Sequence, residues 1–153
     1  AARPMLDQTT VFSALEIRPE IEPTLRRAMK PTENVDIGDY LATSIKANVI
    51  LTNPPYSLAQ EFIEKSRNDA QLIFMLLRLN FLGSAGRHGF WQENMPQAIY
   101  VLPNRPGFDD SKPGKTDATE YAWFCFTSLD MPTPLCAELH MLALTPKDER
   151  ALG

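Results

Sequence analysis

The tetrapeptide Asn53-Pro54-Pro55-Tyr56 combines the residue types of this chain that best suit a chemical task. It supplies a side-chain amide, backbone carbonyls held in a stiff turn, and one aromatic ring. An amide oxygen and a carbonyl oxygen can both accept from a single amino group, while the ring stacks on a flat heterocycle. The pattern therefore suits a site that holds the exocyclic amine of a base. An ordinary proline-rich turn with a packing tyrosine is the structural alternative.

The short apolar run 48–52 leads into this turn and predicts a buried β-strand. Pro54 and Pro55 end the strand, because neither has an N–H to donate to a sheet and each fixes φ. In open α/β sheets, ligands bind at the carboxyl ends of the strands. Ser57 is then predicted to cap a helix over 58–68.

Two carboxylates follow predicted strands in the same way. Glu16 lies near the end of a predicted buried strand over 11–17, and Asp39 follows a predicted strand over 34–37. In a doubly wound sheet these strand ends would lie on one edge with Asn53. One carboxylate can bind both hydroxyls of a ribose, and the second can accept from an adenine amino group. Each alone is more commonly a helix cap or a solvated turn residue, but the ordered set is hard to obtain by chance.

The remaining elements alternate between helices and strands at first and then become strands in succession. We predict a helix over 20–29, a mobile connection with a short helix over 80–96, a polar loop over 103–118, and strands over 71–79, 97–102, 120–127 and 137–144. Residues 1–10 read as the end of a helix and a turn. This order favours a single α/β domain with a mostly parallel sheet and an antiparallel edge strand.

Composition excludes several classes of protein. The chain has 153 residues and a formal charge of −4, which argues against non-specific binding of nucleic acid by the whole surface. It shows no membrane-spanning run and no signal-peptide pattern. Cys125 and Cys136 make neither a disulfide framework nor a zinc site, and no cluster has metal-ligand spacing. We therefore expect no membrane, no metal and a cytoplasmic setting.

The order Glu16, Asp39, Asn53-Pro54-Pro55-Tyr56 resembles that of the S-adenosylmethionine-dependent amino-methyltransferases. In that family strand 2 ends in an acidic residue and strand 4 in Asn/Asp-Pro-Pro-Tyr. Later segments look like the phage-type DNA adenine-N6 methyltransferases: Leu77-Arg78-Leu79-Asn80-Phe81-Leu82, Arg87 with Phe90-Trp91, Leu102-Pro103-Asn104-Arg105-Pro106-Gly107-Phe108, and Thr116-Asp117 with Glu120-Tyr121-Ala122-Trp123-Phe124. The resemblance covers roughly residues 11–127. Asn-Pro-Pro-Tyr is shared with RNA and protein-glutamine methyltransferases, so the later segments carry the expectation of DNA.

The resemblance implies a Rossmann-like enzyme, bacterial or phage-encoded, that moves a methyl group from S-adenosylmethionine to the N6 amine of a flipped adenine in DNA. It implies that Asn53 and the Pro54 carbonyl, with Pro55, hold the amine and that Tyr56 stacks on the base. It implies a cofactor site in which Glu16 and the adjacent Ile17 face the ribose and Asp39 and the adjacent Tyr40 face the adenine. The amine needs no covalent nucleophile, so neither cysteine has a catalytic role.

Six basic side chains are the candidates for the DNA phosphates: Arg78, Arg87, His88, Arg105, Lys112 and Lys115. A solvated loop would have the same composition, and Arg105 is equally suited to clamp a carboxylate such as Asp117. The glycine-rich segment 83–89 reads as a flexible loop on the substrate side. His140 reads as a surface or satisfied core residue.

One expected element is missing from the sequence. The family places a strand and a glycine-rich turn, which carries the methionine end of the cofactor, before the strand that ends in Glu16. That strand is central in the family's sheet. We therefore consider an incomplete domain, a gap filled by the C-terminal strand or by another subunit, and a non-catalytic DNA-binding or scaffold relative that has lost the cofactor.

Overall fold

The computed structural model of the protein describes residues 11–107 and 118–143. The chain divides into two compact units between Ile45 and Lys46, and each unit has its own sheet. No helix in the described ranges is long and apolar enough to cross a bilayer. The expectations for residues 1–10, for most of the loop 103–118 and for Leu144 lie outside those ranges.

The first unit is a β-α-β segment. Strand β1 (Ser13–Glu16) pairs in parallel with β2 (Asn34–Ile37), and a 3₁₀ turn (Pro19–Ile21) and helix α1 (Glu22–Ala28) connect them. The helix has a proline in its first turn, where the missing N–H of proline costs no hydrogen bond. Two arginines lie in its last turn, where the helix dipole favours positive charge. The predicted bounds of β2 are confirmed, whereas β1 is shorter than predicted and only half-buried.

The second unit is a five-stranded sheet in the order β3-β4-β6-β5-β7. The strands are β3 (Ala47–Thr52), β4 (Ala70–Arg78), β5 (Ala98–Val101), β6 (Tyr121–Thr127) and β7 (Glu138–Met141), with helices α2 (Ala59–Asp69) and α3 (His88–Glu93). Four strands share one direction, and β6 runs antiparallel to both of its neighbours. The antiparallel strand thus lies inside the sheet and not at its edge.

The core of this unit lies around β4 and β6. Ile73, Met75 and Leu77 of β4 and Phe124 and Phe126 of β6 are almost fully buried. Burial of each such side chain stabilises the fold by roughly 1.5–3 kcal/mol. The continuous apolar run predicted as a strand therefore lies inside the sheet, between β3 and β6, and packs with residues of α2 and α3.

The prediction that β3 is buried is wrong. Val49 is 53% exposed and Leu51 is 59% exposed. In the described part of the chain β3 pairs with β4 alone, and β1 pairs with β2 alone. The C-terminal strand β7 pairs with β5, so it does not fill a position beside β3.

The predicted cap of α2 is also wrong. The backbone tightens into a 3₁₀ turn, Tyr56–Leu58, closed by the Leu58 N–H donating to the Pro55 carbonyl at 2.9 Å. The helix then begins at Ala59, with Leu58 in the cap position and no capping side chain. Ser57 lies within the turn and caps nothing.

A buried arginine connects the C-terminal part of α2 to three other segments. Arg67 is 3% exposed, and its guanidinium donates to the carbonyls of Thr127 and Glu93 at 3.0 and 2.7 Å. It also donates to Asn94 Oδ1 at 2.9 Å and Thr133 Oγ1 at 3.3 Å. The guanidinium therefore donates to four acceptors on neutral groups. These hydrogen bonds connect the segments at this end of the sheet.

Candidate active site

The tetrapeptide Asn53-Pro54-Pro55-Tyr56 forms a turn directly after the carboxyl end of β3. Pro54 is buried, while Asn53 and Pro55 are exposed. The Tyr56 hydroxyl donates to Asn53 Oδ1 at 3.3 Å. An amide oxygen has two acceptor positions, so this contact leaves room for a second donor. The amide and the ring, which the sequence predicts to act together, are therefore held together by the turn itself.

Two residues from neighbouring strands hold the Tyr56 ring. Arg78 ends β4 and lies directly opposite Tyr121, the first residue of β6. The Arg78 guanidinium carbon lies 4.7 Å from the centroid of the Tyr56 ring, and its Nε donates to the Tyr121 hydroxyl at 3.2 Å. Tyr121 is fully buried, and its ring centroid lies 5.9 Å from that of Tyr56. A chain of contacts thus runs from the core to the amide of Asn53.

The sequence does not predict the role of Tyr121. The residue belongs to a segment of the family resemblance, but nothing in its local pattern indicates a partner. Its contact with Arg78 depends on the antiparallel register of β4 and β6, which local sequence does not encode.

An open cavity of about 400 Å³ lies beside the tyrosine. Its lining includes Tyr56, Arg78, Asn80, Phe81, Ser84 and Arg87. Gly83, Ser84 and Arg87 of the glycine-rich segment contribute to its lining. This segment was predicted as a flexible loop, but it contains a 3₁₀ turn (Ala85–Arg87) and the first residues of α3. The volume is within the roughly 300–1,000 Å³ range of small-ligand sites.

Arg87 is fixed at the wall of this cavity. Its Nε donates to the Phe81 carbonyl at 2.8 Å, and its guanidinium carbon lies 4.6 Å from the centroid of the Phe81 ring. Phe81 packs edge-on against Trp91, with ring centroids 5.3 Å apart. The guanidinium is therefore positioned by the core of the unit.

The two carboxylates expected to bind the cofactor lie at one end of the β1–β2 sheet. The Gly38 N–H donates to the Glu16 carbonyl at 2.9 Å, which joins the two strand ends. Asp39 Oδ1 accepts from the Leu41 N–H at 2.9 Å and so caps the turn Tyr40–Ala42. Tyr40 is half-buried in that turn.

Glu16 makes a close ion pair within its own strand end. Arg18 donates to it from Nε at 2.9 Å, from Nη2 at 3.0 Å and from its backbone N–H at 3.1 Å. These side-chain hydrogen bonds lower the pKa of Glu16, so the carboxylate is ionised at neutral pH. The neighbouring Ile17 is 63% exposed. Hydroxyl groups of a ribose would compete with Arg18 for the carboxylate oxygens.

Of the other basic candidates for DNA binding, one is exposed to solvent, one forms an ion pair, and two lie outside the described residues. His88 is the exposed first residue of α3, with Nε2 3.4 Å from Gln92 Nε2. Arg105 forms an ion pair with Glu120 and acts as a clamp, although Asp117, the partner suggested by the sequence, lies outside the described ranges. Lys112 and Lys115 also lie outside them.

Several other polar groups do not converge on a site. No group of three His, Cys, Asp or Glu side chains within residues 11–107 and 118–143 could hold a metal ion. Cys125 is buried, and burial raises the pKa of its thiol. His140 is an exposed residue of β7 that stacks on Tyr100 with ring centroids 4.8 Å apart, as a surface assignment predicts.

The comparisons with known proteins inform on the fold. No protein-family model and no curated protein matches the chain. A solved structure from Listeria monocytogenes, named as a candidate class I S-adenosylmethionine-dependent methyltransferase, matches with a TM-score of 0.60 and 14% identity. The match covers 92% of this chain and 52% of that one, so the chain spans about half the length of that structure. The fold is therefore α/β and Rossmann-like, as in class I methyltransferases, and the predicted fold class is confirmed.

Proposed function

We propose that the protein transfers a methyl group from S-adenosylmethionine to the N6 amine of adenine in DNA. The observation that carries this proposal is the turn Asn53–Tyr56. It follows a strand of a sheet with a methyltransferase-like fold, and within it the tyrosine hydroxyl bonds the asparagine amide. The exocyclic amine of adenine offers two N–H donors to an amide oxygen and a backbone carbonyl.

Asn53 and the Pro54 carbonyl do the chemical work by positioning. When Asn53 Oδ1 and this carbonyl accept the two N–H groups, the nitrogen lone pair is directed away from both acceptors. S-adenosylmethionine, when bound, supplies an electrophilic methyl group on a sulfonium. Fixed acceptors that stabilise the charge developing on the amine contribute through orientation and electrostatics, so no covalent nucleophile is needed.

Tyr56 and Arg78 supply a stacking surface for the base. One guanidinium already lies over the tyrosine ring at 4.7 Å, and arginine planes stack on bases as aromatic rings do. An enzyme that modifies a base must take it out of the helix, which requires such a surface next to the amine acceptors.

The carboxylates of Glu16 and Asp39 are the candidates for the cofactor's ribose and adenine, with Ile17 and Tyr40 beside them. Carboxylate oxygens match the hydroxyl and amino donors of an adenosine. Asp39 has acceptor positions beyond its single bond to Leu41, and Glu16 has to exchange the side chain of Arg18 for the ribose. Binding of the cofactor is therefore expected to disturb the Glu16–Arg18 pair.

A non-catalytic binding protein is the second candidate. The specific observation in its favour is that Arg18 engages both oxygens of Glu16, which suits a carboxylate with a structural role. In that case the protein binds DNA without the cofactor. Substitution of Asn53 then leaves its biological activity intact.

The test is a comparison of methyl-transfer rates for Asn53→Ala and Asn48→Ala. Asn48 is an exposed asparagine of β3, the strand that leads into the turn, and serves as the matched control. Loss of one such polar group at a reacting centre costs about 10²–10³-fold in kcat. We expect that loss for Asn53→Ala and less than a twofold change for the control. Equal rates for the two variants would refute the assignment of Asn53.

A further inference from the structure

The cavity beside Tyr56 has an unusual charge for an acidic protein. Among the described residues that line it, the charged ones are Arg78 and Arg87, and none is acidic. Asn80 and Ser84 add neutral polar groups to the same wall. The residues that line the cavity therefore include two basic side chains and no acidic one, although the whole chain has a formal charge of −4.

Arg87 carries a charge that its own contacts do not neutralise. Its partners are the carbonyl and the ring of Phe81, which fix the plane of the guanidinium but carry no formal negative charge. No ion pair joins Arg87 to a carboxylate in residues 11–107 and 118–143. By contrast, Arg18, Arg26 and Arg105 each pair with a glutamate. A held guanidinium at the wall of an open cavity is suited to an incoming anion, above all to a phosphate.

We propose that this cavity binds the phosphodiester of the target nucleotide, with Arg87 as the residue that contacts it. The proposal rests on the proposed function, because it takes the target base to lie on Tyr56. It narrows the substrate class, since a nucleotide brings an anion together with its base, whereas the amide of a protein glutamine brings none. Arg87 positions the nucleotide and does not take part in methyl transfer, in keeping with the general role of phosphate contacts.

The salt dependence of binding to a short single-stranded DNA oligonucleotide with one adenine measures this contact. For single strands the slope of log K against log salt changes by about 0.7 for each phosphate contact. Fluorescence anisotropy of Arg87→Gln should therefore show a slope about 0.7 smaller in magnitude than that of the unmodified protein. The matched control is Arg27→Gln, which makes the same change of charge at an exposed position of α1 and should leave the slope unchanged.

A second arm changes the DNA and leaves the protein intact. In an oligonucleotide with an uncharged methylphosphonate at the linkages flanking the adenine, the unmodified protein and Arg87→Gln should have equal slopes. Arg87→Lys keeps the charge and should retain the slope on ordinary DNA, which separates loss of the contact from loss of folding.

Three results would overturn the proposal. They are an unchanged slope for Arg87→Gln, a difference between the two proteins that persists on the methylphosphonate, and no binding of the oligonucleotide at low salt. The same dependence on Arg87 with an RNA oligonucleotide would support the phosphate contact and move the substrate to RNA. A normal slope change without any methyl transfer would refute the proposed function and leave the phosphate contact standing.

Discussion

Replacement of Arg67 by methionine removes the buried guanidinium that joins α2 to the segments around α3 and the end of β6. Methionine keeps much of the apolar stem of the side chain, so the change is mainly a loss of hydrogen bonds. The backbone carbonyls of Thr127 and Glu93 lose the donors at 3.0 and 2.7 Å. Asn94 loses a donor at 2.9 Å in a buried position.

The expected loss of stability follows from these acceptors. The Glu93 carbonyl keeps the Thr133 hydroxyl as a donor at 3.0 Å, so the main cost comes from the Thr127 carbonyl and Asn94 Oδ1. A buried polar group left without a partner costs about 1–3 kcal/mol, so these two give about 2–6 kcal/mol. Part of this is offset, because burial of the guanidinium is itself unfavourable and lowers the pKa of Arg67. We expect a net decrease of about 3 kcal/mol in the free energy of unfolding.

Urea unfolding followed by tryptophan fluorescence measures this loss in the right part of the chain. Both tryptophans, Trp91 and Trp123, belong to the second unit, so the signal reports on that unit. Glu64→Met is the control, because Glu64 is an exposed residue of the same helix and should change stability by less than about 0.5 kcal/mol. A loss below about 1 kcal/mol for Arg67→Met, with an unchanged m-value, would show that these hydrogen bonds do not hold the loops.

Three further predictions concern the site and the sheet. Tyr121→Phe removes the hydroxyl that accepts from Arg78 and should lower kcat by about tenfold at nearly constant KM in steady-state assays, since about 1.4 kcal/mol of positioning is lost. NMR titration should give Glu16 a pKa below that of an ordinary glutamate, and this pKa should rise in Arg18→Ala, which removes the side-chain hydrogen bonds and keeps the backbone one. Because the folded-state pKa is lowered, the stabilisation is present above the ordinary value and lost as pH falls through the lowered one. Leu51→Thr on the exposed strand β3 should cost less than about 1 kcal/mol in urea unfolding, and a loss of 2 kcal/mol or more, as in a core, would contradict its exposure.

Other outcomes of the first and second of these predictions would point to different explanations. A Tyr121→Phe enzyme with a raised KM and normal kcat would mean that the hydroxyl supports substrate binding and does not orient Tyr56. An unchanged pKa for Glu16 in Arg18→Ala would mean that the ion pair is too exposed to matter. The carboxylate would then be open to a ribose without competition.

Local pattern predicted much of the fold because the second unit follows elementary rules. The run that became β4 is apolar at nearly every position, which is typical of a strand buried on both faces. The prolines after β3 end it where predicted, since they cannot continue a sheet. In the first unit, Glu16 is in register with Ile37, two residues before Asp39, because β1 and β2 are parallel.

Two of the failures come from contacts distant along the chain, and one comes from a local turn. Burial of β3 depends on a neighbour on each edge, and its apolar sequence alone does not supply one. Ser57 matches the pattern of a cap. However, the Leu58 N–H donates to the Pro55 carbonyl and closes a 3₁₀ turn that contains Ser57, so the helix begins later. The contact between Arg78 and Tyr121 comes from the register of two strands separated by more than 40 residues in sequence.

Identification of the methylated product tests the central claim most directly. Duplex DNA is incubated with the purified protein and S-adenosylmethionine carrying an isotope-labelled methyl group, then digested to nucleosides and analysed by mass spectrometry. The proposed function predicts label in N6-methyldeoxyadenosine, with little or none for Asn53→Ala. Saturable DNA binding without label in any nucleoside, or label found in protein glutamine, would contradict it.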